Sequence, residues 1–205
     1  MLVIIDYGVG NLASIRNMLK KVGSDAIISS DEDTIRAADK LILPGVGAFD
    51  TCAEKLRESS LIPLLNSKVL EQKTPVIGVC VGMQLLMEGS EEGALPGLGW
   101  IKGRVVKFRQ ESLPAELKIP HMGWTDVIIR KSSRLFEDMF PEPRFYFVHS
   151  YFAQPAHTSD ILAQAVYGAS FTAAVEHENI AGVQFHPEKS HKFGMKLFEN
   201  FVSRF

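Results

Sequence analysis

The sequence predicts an α/β protein of three layers: a mostly parallel central sheet, helices on both faces, and an antiparallel extension in the second half. The first half alternates short β-branched runs with helical patterns, as strands buried on both faces do. After Met87 glycine and proline cluster through Gly89 to Gly99, and short strand-like segments joined by turns follow. No linker-like stretch divides the two textures, so the chain reads as one domain over residues 1–205, with the extension packed on the parallel core.

The elements follow in order. Leu2 to Ile5 is a continuous apolar strand. Asn11 is placed to cap a helix whose Leu12, Ile15, Leu19 and Val22 share one face. Strands at Ala26 to Ile28 and Leu41 to Leu43 lead to Pro44-Gly45-Val46-Gly47 and a helix from about Phe49. Pro75-Val76-Ile77 then feeds Gly78-Val79-Cys80-Val81-Gly82. In the second half the strands are Val105 to Phe108, Val127 to Ile129, Phe145 to Val148, Ile161 to Val166, Ala173 to Glu176 and Ala181 to Gln184. Phe193, Leu197, Phe198 and Phe201 mark a closing amphipathic helix.

Bulk properties narrow the function classes. With 205 residues, 46% hydrophobic and 22% charged, the chain has the composition of an ordinary soluble enzyme. A net charge of −2 gives no general reason to expect a nucleic-acid or membrane partner. The start, Met1-Leu2-Val3-Ile4-Ile5-Asp6, lacks the features of a signal peptide, and no apolar run approaches the roughly 18 residues that cross a bilayer. Two cysteines far apart make no disulfide framework, which points to a reducing cytoplasm.

Chemistry concentrates at Cys80. A nucleophile between two glycines after an apolar run is the pattern of a sharp strand-to-helix elbow that holds a side chain up for attack. The glycines remove Cβ atoms that would clash in the bend, and the following helix aims N–H groups that favour a thiolate. A free cysteine is more often a small buried hydrophobe, but that role gives the glycines no purpose. Cys52, in a helical pattern with Phe49 and Leu56, is assigned to packing.

A thiol nucleophile needs a base, and the base needs a group to orient it. His186 follows the apolar run Ala181-Gly182-Val183-Gln184-Phe185, so it belongs at a strand end on the edge where an elbow must lie; Pro187 fixes the turn and Glu188 is close enough to orient the imidazole. Acyl transfer also requires oxyanion donors, for which the backbone N–H of Val81 and one from Val46 or Gly47 are the candidates. A metal site of Cys80, His177 and His186 lacks any CxxC or HxxxH spacing, and no metal or cofactor is called for.

The elbow Gly78-Val79-Cys80-Val81-Gly82-Met83-Gln84 followed by His186-Pro187-Glu188 resembles the class I triad glutamine amidotransferases, and does so over essentially the whole chain. The resemblance implies a flavodoxin-like fold, with Cys80 as nucleophile of a thioester, His186 as general base and acid, Glu188 as orienting carboxylate and Gln84 as a holder of L-glutamine. Asp6-Tyr7-Gly8-Val9-Gly10-Asn11, Pro44 to Phe49, Pro120-His121-Met122-Gly123-Trp124 and Tyr146 to Tyr151 look more narrowly like the glutaminase subunits of imidazole glycerol phosphate synthases. That likeness implies that His149, Ser150 and Tyr151 contribute to the glutamine pocket and that Asn11, Met122 and Trp124 face a partner, a (β/α)8-barrel synthase subunit in a heterodimer. Thr125 stands where family members often carry Asn, and Ser150 where they carry Thr.

On this reading ammonia made here passes to the barrel, which closes an imidazole ring in histidine biosynthesis. The glycines of Gly45-Val46-Gly47 allow a peptide flip that completes the oxyanion hole only when the partner holds ligand. Three other readings stand beside it. A glutaminase of another complex, such as pyridoxal phosphate synthase, lacks support from the PHMGW and DYGVGN runs. A cysteine peptidase or chaperone-like protein on a similar scaffold is disfavoured by the late His-x-Glu, and a non-catalytic subunit by three competent triad side chains.

Overall fold

Short apolar runs form strands here because layers on both sides remove them from water. The computed structural model describes residues 1–205. Its first half runs β1 (Leu2–Ile5), α1 (Leu12–Lys21), β2 (Ile27–Ser29), α2 (Glu32–Arg36), β3 (Lys40–Leu43), α3 (Phe49–Glu58), α4 (Ile62–Asn66), β4 (Val76–Val79) and α5 (Val81–Leu85). The second half runs β5 (Gly103–Lys107), β6 (His121–Ile129), β7 (Arg144–His149), β8 (Tyr151–Pro155), β9 (Ile161–Tyr167), β10 (Ala169–His177), β11 (Ile180–Val183) and α6 (His191–Ser203). All four residues are buried in each of β1, β4 and β11.

Nine strands form one sheet in the order β2-β1-β3-β4-β11-β10-β9-β6-β7. The first five are parallel, which is the flavodoxin-like order, and from β11 onward every pairing is antiparallel. The extension therefore continues the same sheet rather than packing on it. Only β5 and β8 stand apart, as a two-stranded ribbon. Helices surround the sheet in two groups, α1 against α6 and α3 against α5. One core of 56 buried residues runs beneath both halves, with Phe145 stacked on Phe185 where the antiparallel strands meet the end of β11.

Several local readings shift. The last four residues of the PHMGW run open the nine-residue strand β6, of which the sequence marked only Val127 to Ile129. Strand β8 and helices α2 and α4 were not marked from the sequence. Yet α2 is capped by Asp31, whose carboxylate accepts from Thr34 N–H at 2.8 Å, and α4 carries Pro63 in its first turn. Asn11 sits at the start of α1 but makes no side-chain cap; its amide reaches Glu188 instead.

Candidate active site

The elbow is built by close approach. Strand β4 pairs β11 with Gly78 opposite Gly182, and α5 settles over both. A Cβ on Gly78 would stand 2.6 Å from the Gly82 carbonyl oxygen, and one on Gly82 only 1.9 Å from that of Leu43. Cys80 itself takes φ 56° and ψ −114°, a left-handed conformation that costs a non-glycine residue about 1–3 kcal/mol and is held by its surroundings. Its N–H donates to Val183 O at 2.8 Å, and its carbonyl accepts from Met83 N–H at 3.0 Å.

The expected oxyanion donors divide. Val81 N–H is not free: it donates to the Gly45 carbonyl at 3.2 Å, because a buried N–H needs a partner and the β3 turn brings one within reach. The helix behind it, α5, is only five residues long, so its dipole is also smaller than the sequence suggested. Val46 and Gly47 are exposed at the rim of the cavity, and their N–H groups make no bond within the protein. Gly47 has φ +90°, which glycine adopts without strain. Cys52 is wholly buried beneath them, its thiol donating to the Val46 carbonyl at 3.3 Å.

His186 lies three residues beyond the end of β11, its backbone N–H held by Tyr146 O at 2.9 Å. Its Nδ1 is 2.8 Å from Glu188 Oε1, and the two side chains are 4% and 1% exposed. A carboxylate only accepts, so Nδ1 carries the proton and leaves Nε2 for the Cys80 thiol, which lines the same cavity. Burial pulls the imidazole pKa down, but the bonds to Cys80 and Glu188 and their charges outweigh it and push the value up to about 9. Asn11 Nδ2 also donates to Glu188 Oε1, at 3.3 Å, tying the first strand-to-helix turn to the carboxylate. Glu188 Oε2 is buried without a partner.

A cavity of about 360 Å³ opens over Cys80 and His186, with Gln84, Glu92, His149, Ser150, Tyr151 and Lys189 among its walls. Gln84 is buried; its Nε2 donates to Tyr151 O at 3.2 Å and to Gln184 Oε1 at 3.1 Å, while its Oε1 has no partner. His149 reaches the wall with neither ring nitrogen free, since Nδ1 is bonded to Tyr151 O at 2.8 Å and Nε2 to His121 Nδ1 at 2.9 Å. Burial takes His149 down to about 3 and His121 to about 4, so both are neutral. His149 therefore fixes the Tyr151 carbonyl rather than offering a donor to the cavity.

Residues that the sequence reading passed over also stand here. Glu92 faces the cavity from the Gly-rich loop, its Oε2 accepting from Phe49 N–H at 2.9 Å. Gln184 is fully buried with Nε2 3.8 Å from the Cys80 sulfur. It lies two residues before His186, and the two-residue period of an extended chain was the signal that it shares that side chain's face. His177 is not part of this assembly: it bonds Asp160 at 3.0 Å by the β10–β11 turn, at the opposite end of β11 from His186.

Around the mouth, Met122 is 61% exposed and Trp124 43%. In the β6–β7 register Met122 opposes Val148, a cavity-wall residue, and Trp124 opposes Tyr146, over whose ring the Lys189 ammonium lies at 5.6 Å. Trp124 also stacks on His191 with centroids 5.4 Å apart. No helix is long and apolar enough to cross a membrane.

The sequence profile described as glutamine amidotransferase class-I matches residues 3–205. Imidazole glycerol phosphate synthase subunit HisH 2 of Methanococcus maripaludis is 52% identical over 204 residues, covering 100% of both chains. The subunit of the same name from Pseudomonas aeruginosa is 52% identical over 202 residues, covering 98% of each. Among solved structures, a putative GMP synthase subunit of Thermoplasma acidophilum superposes with a TM-score of 0.72 at 22% identity, over 98% of this chain and 91% of that one. PurLQS of Thermotoga maritima gives 0.71 at 17%, over 98% and 96%, and at such identities the likeness is one of fold.

Proposed function

Because the chain belongs to the class-I glutamine amidotransferase family and matches imidazole glycerol phosphate synthase subunits HisH over its full length, we propose that it hydrolyses L-glutamine at Cys80 and delivers the ammonia to a synthase subunit. The observation that carries this reading is the buried Glu188–His186 pair lining one cavity with a cysteine that is held at positive φ.

The Cys80 proton passes to His186, whose pKa of about 9 lets the ring hold it as imidazolium beside the attacking sulfur. The sulfur gives its electron pair to the carboxamide carbon of glutamine. As the tetrahedral adduct collapses, the C–N pair leaves on nitrogen, which takes the His186 proton and departs as ammonia. His186, now neutral, removes a proton from water, whose oxygen attacks the thioester carbon; the C–S pair returns to Cys80 and glutamate is released. The unpaired Gln84 Oε1 and the Glu92 carboxylate suit the substrate's ammonium group. The free N–H groups of Val46 and Gly47 suit the oxyanion, and Val81 joins them when the Gly45 carbonyl turns away.

A (β/α)8-barrel synthase seated on the face that bears Asn11, Met122 and Trp124 receives the ammonia and forms imidazole glycerol phosphate and aminoimidazole carboxamide ribotide. Exposed aromatic and Met side chains beside a cavity mouth are the composition of such an interface. Cys80→Ala tests the whole scheme. It abolishes ammonia release from glutamine in the complex and leaves ammonia-dependent synthase turnover intact; retained glutaminase activity overturns the assignment. The gating by Gly45 to Gly47 is tested by comparing turnover with and without the ligand-bound synthase, and equal rates exclude it.

A further inference from the structure

We infer that Gln184 takes part in the reaction by donating its side-chain N–H to the Cys80 sulfur, steadying the sulfur anion both as it attacks and as it leaves. The inference rests on the glutaminase reading above. Its foundation is a chain of hydrogen bonds whose direction is fixed from one end.

The Tyr151 carbonyl oxygen can only accept. It lies 3.2 Å from one terminal atom of Gln84, which must therefore be the nitrogen. That nitrogen is also 3.1 Å from Gln184, so the Gln184 atom facing it must be the oxygen. The Gln184 nitrogen is then turned the other way, toward Cys80, and stands 3.8 Å from Sγ, a distance that the larger radius of sulfur allows. Reversing either amide would press two donors or two acceptors together in a buried place. Gln184 has no access to water, and its backbone N–H is held by Ala173 O at 2.9 Å. The Val81 N–H meanwhile is bound to Gly45, so this side chain provides the sulfur with a donor that the elbow's backbone does not.

The chemistry gives that donor two uses. Sulfur carries its charge before the C–S bond forms in acylation and again after the C–S pair returns to it in deacylation. In the thioester between, sulfur is a poor acceptor. Gln184 thus favours the anion at both ends of the cycle, and its removal lowers kcat with little change in KM.

The test uses two variants. Gln184→Met keeps the volume without an N–H, and Gln184→Asn keeps a polar amide but draws it back by one methylene. Alkylation of Cys80 by iodoacetamide is followed by mass spectrometry across a pH series. In both variants the midpoint moves up by about one pH unit, so alkylation on the acid side slows roughly tenfold, the size of one charge-assisted hydrogen bond. KM for glutamine stays within about twofold while kcat falls. Profiles that superimpose on that of the unsubstituted chain, in a variant with the parent circular dichroism, overturn the inference; should the Met form not fold, the Asn form decides. Failure of the unsubstituted complex to release ammonia from glutamine would instead remove the broader reading, and the alkylation profiles would still decide whether Gln184 serves the sulfur.

Discussion

In the parallel half, β2-β1-β3-β4-β11, the glycines at 78, 82 and 182 are fixed by space: helix and strands approach until no Cβ fits. In the antiparallel half, β10-β9-β6-β7, the corresponding work falls to buried polar side chains such as His121 and His149, while Met122 and Trp124 are left to solvent. The first half fixes where the reacting atoms are by backbone contact, which tolerates almost no change. The second half shapes the substrate wall and the outer face by side-chain contact, which tolerates more.

The contrast can be broken at its stiffest point. Gly82→Ala sets a methyl group against the Leu43 carbonyl oxygen, backbone that cannot yield, and the overpacking costs ~3 kcal/mol or more. A fall of roughly 10 °C in melting temperature, with loss of glutaminase activity, is the expected result; a variant of parental stability and activity would erase the distinction. Glu188→Gln leaves the backbone unchanged but removes the anion that holds the His186 proton, and kcat drops by about 10²–10⁴-fold. Steady-state kinetics of the complex measure it, and a change below threefold argues against the orienting role.

The pH dependence comes next. His186 is held above its unfolded value of 6.5, at about 9, so its contribution to stability is full below pH 6.5 and is lost as pH rises through about 9. Over the same window the imidazolium that protonates departing ammonia disappears, so kcat/KM falls about tenfold per unit above pH 9. An alkaline limb near 7 would show that the Cys80 and Glu188 bonds do not hold the proton as described. Met122→Ala produces the smallest change: stability within about 0.5 kcal/mol and glutamine turnover of the complex at saturating synthase within about twofold. Affinity for the synthase, read by titration, weakens several-fold.

Legibility in the sequence follows the same division. The elbow, the strand before it and the placing of His186 and Glu188 were readable because they depend on local features: glycine spacing, an apolar run, a proline after the histidine. The Gly45 carbonyl that occupies Val81 N–H was not readable, since that contact joins two turns through packing. Asn11 looked like a helix cap because its local context is that of one; only the fold brings Glu188 within its reach. Gln184 and Glu92 carried weak signals, an alternation and an acidic residue in a glycine-rich loop, and neither names its partner across the sheet. The PHMGW run, interrupted by glycine, carries no alternation that marks a strand, and is one because β7 pairs along it.

Strand β11 lies between β4 and β10, although only α6 follows it along the chain. A growing polypeptide therefore exposes Cys80 to solvent long before the strand that leads to its acid partner has been synthesised. Until then β4 lacks its neighbour, Met83 has no Gly182 to settle on, and the antiparallel strands have nothing to join. Pairings between residues so distant along the chain form late and slowly. The last insertion completes the sheet and brings the Glu188–His186 pair to the cavity of Cys80 in one event, so a chain stalled before it carries the thiol without that pair.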